Sequence, residues 1–323
     1  MDAAHERDAS VAELAHRYAS AGAADWTETL ARADANDVAI PVLERLLAAA
    51  AVDEARALDA ELRRRRAALE SFALDLERVH DLLDGAGIEY AVIKTNVAHP
   101  YEPWDLNVLA RERDWPRAID LLEDDGWTRT SFRAHPLART EPGKRLYEHD
   151  VRHPVHLHAA VSWNGLAYLP AAAVLDSRRL EDGVYYPEPV VDAAIHCAHG
   201  AFENFEVTLG EALEIARVLG REGAVGDRDS RGTSAGSAVD RDRQLAVDRG
   251  RQLAVEHGWP EGYDLAVRTA EEVLDRVRRS PESIDLPHRY APAELVRAWL
   301  GHARRTDGGW YELPANAALW AVK

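Results

Sequence analysis

Lysine is nearly absent from this 323-residue chain, which contains only Lys94, Lys144 and Lys323. The other basic residues are arginines, and 39 basic residues face 56 acidic ones, which gives a formal net charge of −17. Such a chain repels phosphate groups over most of its surface, so we do not expect nucleic acid as a partner. Abundant Asp and Glu with scarce Lys is typical of a halophilic host, which concerns habitat and not activity.

Cysteine and long apolar runs are also scarce. Cys197 is the single cysteine, which excludes an internal disulfide framework. The longest apolar run covers residues 46–52, far short of the ~20 residues that a membrane-spanning helix needs. The first residues have neither the basic nor the apolar segment of a secretory signal. We therefore expect a soluble, cytoplasmic protein with no membrane partner.

Two common nucleotide-binding motifs are missing as well. The sequence contains no Gly-x-x-x-x-Gly-Lys-Ser/Thr and no Gly-x-Gly-x-x-Gly after a predicted strand. These absences argue against a P-loop nucleotidase and against a dinucleotide-dependent dehydrogenase.

The apolar pattern predicts three regions and an α+β fold. Residues 1–85 are predicted to be helical, with the clearest helix over 53–84, where apolar residues recur at spacings of three, four and seven. Residues 86–187 contain short β-rich runs around one helix, which indicates a small mixed α+β core. Residues 188–323 are helical again, except that a stretch at about 220–240 has few apolar side chains and is predicted to be a disordered insertion.

Finer features are predicted inside these regions. Thr208 and Glu211 form a capping-box pattern at the start of a helix. An octad repeats at 238–245 and 246–253, which indicates a duplication too short for a solenoid repeat. The predicted strands cover 88–93, 106–109, 127–132 and 155–163, and the further helices cover 112–125, 212–219, 264–279 and 293–304.

One group of polar residues surrounds the first two predicted strands. Lys94 lies at the end of the first strand and is followed by Thr95. Asp105 and Asn107 are two residues apart on the next strand, so their side chains share one face. Oxygen ligands in this arrangement can hold Mg²⁺ against nucleotide phosphates. The scarcity of lysine favours a functional Lys94, and the alternative is a surface or ion-pairing residue.

The chain from about residue 36 to 219 resembles the uncharacterised nucleotidyltransferase family of the polymerase-β-like superfamily. Members have a helical lead-in, a strand ending in Lys-Gly, an Asp-x-Asp strand, a helix before Gly-Trp or Gly-Tyr, a Val-Asp-Leu-His strand and a helix rich in Leu and His. The matching blocks here are Val92-Ile93-Lys94-Thr95, Asp105-Leu106-Asn107-Val108-Leu109, Leu121-Leu122-Glu123-Asp124-Asp125-Gly126-Trp127, Val155-His156-Leu157-His158 and Ile195-His196-Cys197-Ala198-His199.

This resemblance implies a nucleotidyltransferase-like mixed-sheet core flanked by helical regions. It also implies transfer of a nucleoside monophosphate from a nucleoside triphosphate to an acceptor hydroxyl, with Mg²⁺ or Mn²⁺. The metal would be held by Asp105 and Asn107, and the catalytic residues would be Asp105 and His156, with His156 taking the acceptor proton. The residues implied to bind the nucleotide phosphates are Lys94, Thr95 and Asn96.

Departures from the family pattern leave open whether the chain is an enzyme. Active relatives have three carboxylates where this chain has Asp105, Asn107 and His156, so one carboxylate of three remains. The alternative is a pseudoenzyme that binds a nucleotide or a partner through the same pocket without catalysis. If the chain is active, its acceptor is unknown, and the acidic surface favours a small molecule or a protein side chain over a nucleic acid. The sequence does not determine the oligomeric state.

Histidine clusters suggest a less favoured alternative, a metal-dependent hydrolase. His156 and His158 point to one side of a strand, an arrangement that can bind zinc or iron, and they follow His149, Asp150 and His153. Barrels that use this motif need more strands than this chain offers. On a later helix, His196 and His199 share a face around Cys197, where we favour packing over metal binding because the motif has no further ligand.

Overall fold

The structure is a computed structural model that describes residues 3–95, 99–130, 143–163, 166–219 and 234–305. The helices are α1 (Ala3–Ser20), α2 (Trp26–Asp34), α3 (Ala39–Ala49), α4 (Val52–Gly85), α5 (Trp115–Asp124), α6 (Ala171–Leu175), α7 (Pro189–His199), α8 (Leu209–Val218), α9 (Ser234–Glu256), α10 (Pro260–Arg279) and α11 (Pro292–Arg305). The strands are β1 (Tyr90–Val92), β2 (Leu106–Ala110), β3 (Thr128–Arg129), β4 (Lys144–Glu148), β5 (Val155–His158), β6 (Ala160–Trp163), β7 (Leu166–Pro170), β8 (Arg179–Glu181), β9 (Val184–Tyr186), β10 (Glu206–Val207) and β11 (His288–Arg289). The protein is therefore α+β, as the sequence predicts.

A mixed five-stranded sheet lies at the centre, with strand order β1-β2-β5-β4-β3. Strands β2 and β5 are parallel and place Asn107 opposite His156, while the other neighbours are antiparallel. Every residue of β2 is buried, because both faces of the sheet are covered. The paired strands β6–β7, β8–β9 and β10–β11 lie outside this sheet.

The long helix α4 connects two apolar cores. Leu58 and Leu62 in its first half pack in the helical core, which contains apolar side chains of α1–α3, α7, α8, α10 and α11. Phe72 and Leu76 in its second half pack in the sheet core, together with β1, β2 and α5. The N-terminal and C-terminal helical regions, predicted as separate parts, therefore share one core.

Several predicted elements are present with small shifts at their ends. The helix predicted over 53–84 covers Val52–Gly85, and the capping box of Thr208 and Glu211 begins α8 at Leu209. The prediction of one strand over 155–163 is wrong, because these residues form the two strands β5 and β6. The reason is that Val155 and Leu157 pack in the sheet core, whereas Val161 and Trp163 pack in the helical core.

Other differences concern the second half of the chain. Strands β4, β7, β8, β9, β10 and β11 were not predicted. Of the predicted insertion, residues 220–233 lie outside the described residues, while residues 234–240 are not irregular but begin α9, which also contains both copies of the octad. Within the described ranges, none of the helices combines the length and the apolar character needed to cross a membrane.

Candidate functional site

A cavity of about 420 Å³ lies between one edge of the central sheet and helices α7 and α8. Strand β1 ends at this edge and strands β2 and β5 begin there, so residues that are distant in sequence meet. The residues Lys94, Asp105, Asn107 and His156 all line the cavity. Thr95 is not among the lining residues, and Asn96 lies outside the described residues.

Lys94 occupies a bend directly after β1. Its φ of 68° is in the left-handed region, which typically costs a non-glycine residue ~1 kcal/mol or more. Two contacts hold this conformation: the Tyr101 hydroxyl donates to the Lys94 carbonyl at 3.1 Å, and the Lys94 backbone N–H donates to the Asp192 carboxylate. The surrounding structure therefore keeps the Lys94 side chain directed into the cavity.

A chain of polar side chains runs along β2 and β5. His158 Nε2 donates to Asn107 Oδ1 at 3.1 Å, and Asn107 Nδ2 donates to Asp105 Oδ1 at 2.8 Å. The second oxygen of Asp105, Oδ2, lies 2.6 Å from Nδ1 of His156. Both carboxylate oxygens of Asp105 and the amide oxygen of Asn107 therefore already face donors.

This arrangement does not fit a magnesium ion at Asp105 and Asn107. Mg²⁺ prefers several anionic oxygens in octahedral geometry. Here there is one carboxylate, Asp105, whose two oxygens face His156 and Asn107, and the neutral oxygen of Asn107 accepts from His158. The donor set instead suits a histidine that is oriented by an aspartate.

The ionisation of this pair follows from burial and contact. Burial lowers the pKa of His156, although the hydrogen bond with Asp105 opposes the shift. Burial would raise the pKa of Asp105, but His156 and Lys94 outweigh it, and the pKa is lowered. Near neutral pH the pair is therefore a neutral imidazole whose Nδ1–H donates to an ionised carboxylate.

Two of the chain's three lysines converge on Glu203, which lies in a π-helical turn after α7 (Gly200–Asn204). The Lys144 ammonium lies 3.1 Å from Glu203 Oε1, and the Lys94 ammonium lies 3.9 Å from Oε2. His199 Nε2 is 3.1 Å from the same Oε2, and its Nδ1 is 2.9 Å from Glu211 Oε1. We call Lys94 and Lys144 the lysine pair.

The charges in this cluster shift one another's pKa. Burial would raise the pKa of Glu203, but Lys94, Lys144 and His199 hold it well below its ordinary value. Burial lowers the pKa of Lys94. Burial and Lys94 would lower the pKa of His199, but the contacts with Glu203 and Glu211 raise it overall. The cluster is thus built from ionised groups that depend on one another.

Trp104 forms the rim of the cavity. Its side chain is 64% exposed, although tryptophan is usually highly buried. The ring lies 6.1 Å from that of His156, edge to face. An exposed indole beside a polar cavity offers a surface on which a planar ring can stack.

Several residues that line the cavity, and Lys144 beside it, were not predicted as site residues. Lys144 had the same signal as Lys94, since lysine is so scarce, and Trp104 directly precedes the Asp105 motif. Glu203 and Glu211 had no local signal, because they reach the cavity only through the packing of α7 and α8. Their contribution is visible only in three dimensions.

The histidines of the hydrolase alternative do not converge on one point. His153 Nδ1 lies 2.7 Å from Asp75, and His149 accepts from the backbone N–H of Val151. His156 and His158 face Asp105 and Asn107 respectively. Each therefore has its own structural partner. Cys197 is buried, and burial raises its pKa, in agreement with a small core side chain.

Comparison of the chain with models of protein families, with curated proteins and with solved structures found no match. The geometry of the cavity and the resemblance in the five sequence blocks are therefore the observations that bear on function.

Proposed function

We propose that the cavity binds a nucleotide, and that the chain is a nucleotidyltransferase-like protein that does not perform metal-dependent transfer. The observation that carries this proposal is the convergence of the lysine pair beside a cavity whose rim is an exposed tryptophan. The misfit between Mg²⁺ and the donor set of Asp105 and Asn107 supports the non-catalytic alternative over two-metal chemistry.

The lysine pair and Trp104 would recognise different parts of the ligand. Lys94 lines the cavity and is 3.9 Å from Glu203, longer than a hydrogen bond, so its ammonium can contact a phosphate while it stays beside Glu203. In a partly buried site a charged contact of this kind contributes about 1.5–3 kcal/mol. Stacking of a base on Trp104 would add ~1–3 kcal/mol with little base preference.

Binding of ATP, GTP, CTP and UTP to the purified chain in high potassium chloride tests the proposal. We expect binding by calorimetry in EDTA as well as in Mg²⁺ or Mn²⁺. Lys144→Met and Trp104→Ala should each weaken binding roughly tenfold or more. Arg113→Met removes an exposed positive charge at the opposite end of β2 and should leave affinity unchanged. If no nucleotide binds under any of these conditions, the proposal is wrong.

A second candidate function is transfer that uses His156 as the base. It is favoured by the 2.6 Å contact between Asp105 and His156, which fixes the proton on Nδ1 and leaves Nε2 to accept one. An acceptor hydroxyl on a small molecule or protein would lose its proton to His156 as its oxygen bonds to the α-phosphorus. Pyrophosphate would then leave, with the lysine pair stabilising the developing charge.

Transfer from α-labelled nucleotide distinguishes the two candidates. An active enzyme should label an acceptor, the rate should fall by about 100-fold or more in His156→Gln, and Asp105→Ala should be similarly impaired. Its rate should also rise with pH through the lowered pKa of His156, because the neutral form is the base. Nucleotide binding without label transfer, tested with cell extract as the source of acceptors, supports the pseudoenzyme.

A further inference from the structure

Three buried ionisable side chains lie together on α7 and α8, behind the cavity. Asp192 and His196 are one turn apart on α7, and Glu214 faces them from α8. One potential ligand atom from each lies within 4.8 Å of the others. The three residues are 2%, 4% and 0% exposed. Two carboxylates and an imidazole are rarely brought together in an apolar core without a compensating group.

The hydrogen bonds of these residues are incomplete. Within the described parts of the chain, Asp192 Oδ1 and both ring nitrogens of His196 have no hydrogen-bond partner, although these atoms are fully buried. Native proteins rarely leave buried polar atoms in this state, and each such atom requires an explanation. One ligand atom of each residue lies within 4.8 Å of the others, so a single bound ion would give a partner to a carboxylate oxygen and to one ring nitrogen of His196. The two ring nitrogens point away from each other, so only one of them can bind the ion.

Arg217 fixes the third side chain without blocking it. Its Nε donates to Glu214 Oε2 at 2.9 Å, and its terminal nitrogen donates to Oε1. A carboxylate has about four lone-pair positions, so contact with Arg217 and contact with an ion are compatible at Glu214. Outer partners of this kind hold a metal-ligating side chain in position.

We propose that Asp192, His196 and Glu214 bind one divalent first-row transition-metal ion, of the class of Mn²⁺, Fe²⁺, Co²⁺ or Zn²⁺. One imidazole nitrogen with two carboxylate oxygens suits these ions, whereas Mg²⁺ prefers oxygen alone. His196 also lines the cavity, so the ion reaches the site from there and keeps an open position on that side. The site is separate from Asp105 and Asn107.

The site also connects to the cavity through the backbone. The Asp192 carboxylate accepts from the backbone N–H of Lys94, in addition to its unpartnered Oδ1. A metal at Asp192 therefore helps to fix the left-handed bend that directs Lys94 into the cavity. The metal would therefore help to position Lys94 and would also face the cavity.

The test is metal binding by the untagged full-length chain, stripped with EDTA and titrated with Mn²⁺, Co²⁺ and Zn²⁺ in the absence of nucleotide. Equilibrium dialysis should find one ion per chain. Asp192→Asn and His196→Gln should each weaken affinity by about 100-fold. The matched control His257→Gln, a partly buried histidine at the end of α9, should bind as the wild type does. No stoichiometric binding, or binding unchanged in both variants, overturns the proposal.

Two further measurements do not depend on the folding of the variants. Pulsed electron paramagnetic resonance of the Mn²⁺-loaded wild type should show nitrogen coupling from one imidazole, and its absence overturns the assignment of His196. The metal should also raise the melting temperature of the wild type. An equal rise in Asp192→Asn would mean that the ion binds elsewhere, which contradicts the proposal.

Discussion

The Glu203 carboxylate lies among three groups that can carry positive charge: Lys94, Lys144 and His199. Such a cluster is stable only while all partners keep their charges, because removing one member leaves the others partly desolvated and uncompensated. The lowered pKa of Glu203 and the raised pKa of His199 are consequences of this dependence.

The variant Glu203→Gln should lower the free energy of unfolding by about 3 kcal/mol at pH 7. The folded-state pKa of Glu203 is below its ordinary value of 4.5, so its contribution is present above that pH and is lost as the pH falls through the folded-state pKa. The difference in melting temperature between wild type and variant should therefore be widest near neutrality and should narrow towards pH 3.

The control for this prediction is Glu294→Gln. Glu294 pairs with Arg268 at 2.6 Å, but its side chain is 40% exposed, so the expected loss is under about 1 kcal/mol. A difference between wild type and Glu203→Gln that stays constant from pH 8 to pH 3 would contradict the role assigned to Glu203.

At the scale of elements, a glycine allows helix α10 to lie close to the π-helical turn that follows α7. Gly262 lies in the first turn of α10, and a Cβ atom added there would lie 2.3 Å from Cζ of Phe202. Phe202 is fully buried and stacks on Tyr168 with ring centroids 4.5 Å apart. The ring has little room to move, so packing outweighs the ordinary preference of helices for alanine over glycine.

Gly262→Ala should therefore destabilise the protein by about 1–3 kcal/mol, because the ring of Phe202 must shift. Gly85→Ala, at the end of α4, is the matched control, since nothing lies within 4 Å of its added Cβ. That variant should be neutral or more stable by up to ~1 kcal/mol. Urea denaturation measures both, and an equal response of the two variants would exclude the packing argument.

At the scale of the whole molecule, Asn36 links the N-terminal helices to the C-terminal region by hydrogen bonds. Its Oδ1 accepts from the backbone N–H of Leu209 at 3.2 Å, and its Nδ2 donates to the Arg32 carbonyl at 2.9 Å. Tyr18 also donates to the Leu286 carbonyl, at 3.4 Å. The N-terminal helices are thus bonded to the C-terminal region as well as packed against it.

Asn36→Ala should lower the free energy of unfolding by about 1–3 kcal/mol. The fully buried side chain would lose its hydrogen bonds, and the backbone N–H of Leu209 would be left unsatisfied. Unfolding should follow one transition, with circular dichroism and tryptophan fluorescence coinciding, because both helical regions share one core. The exposed amide variant Gln252→Ala should change stability by under about 0.5 kcal/mol. A separate early transition for the N-terminal helices would contradict this architecture.

The elements that the sequence predicts correctly are those marked by patterns among residues close together in the sequence. The bounds of α4 and the capping box of α8 follow from apolar spacing and from two residues three positions apart. The meeting of Lys94, Asp105 and His156 at one cavity was expected from the order of the sequence blocks. The division of residues 155–163 into two strands was not predicted, because it depends on which of the two cores each side chain packs in.

Sequence alone determined the α+β class and the helical N-terminal and C-terminal regions, since these depend on periodicity. Residue type and spacing made Lys94 and Asp105 candidates, and the resemblance in the five blocks added His156. Only the tertiary structure showed that the two carboxylate oxygens of Asp105 face His156 and Asn107, because hydrogen-bond partners are set by distances between strands. It likewise brought Asp192 and His196 to Glu214 and made Glu203 the partner of Lys144. Such contacts join residues far apart along the chain, and packing alone makes them neighbours.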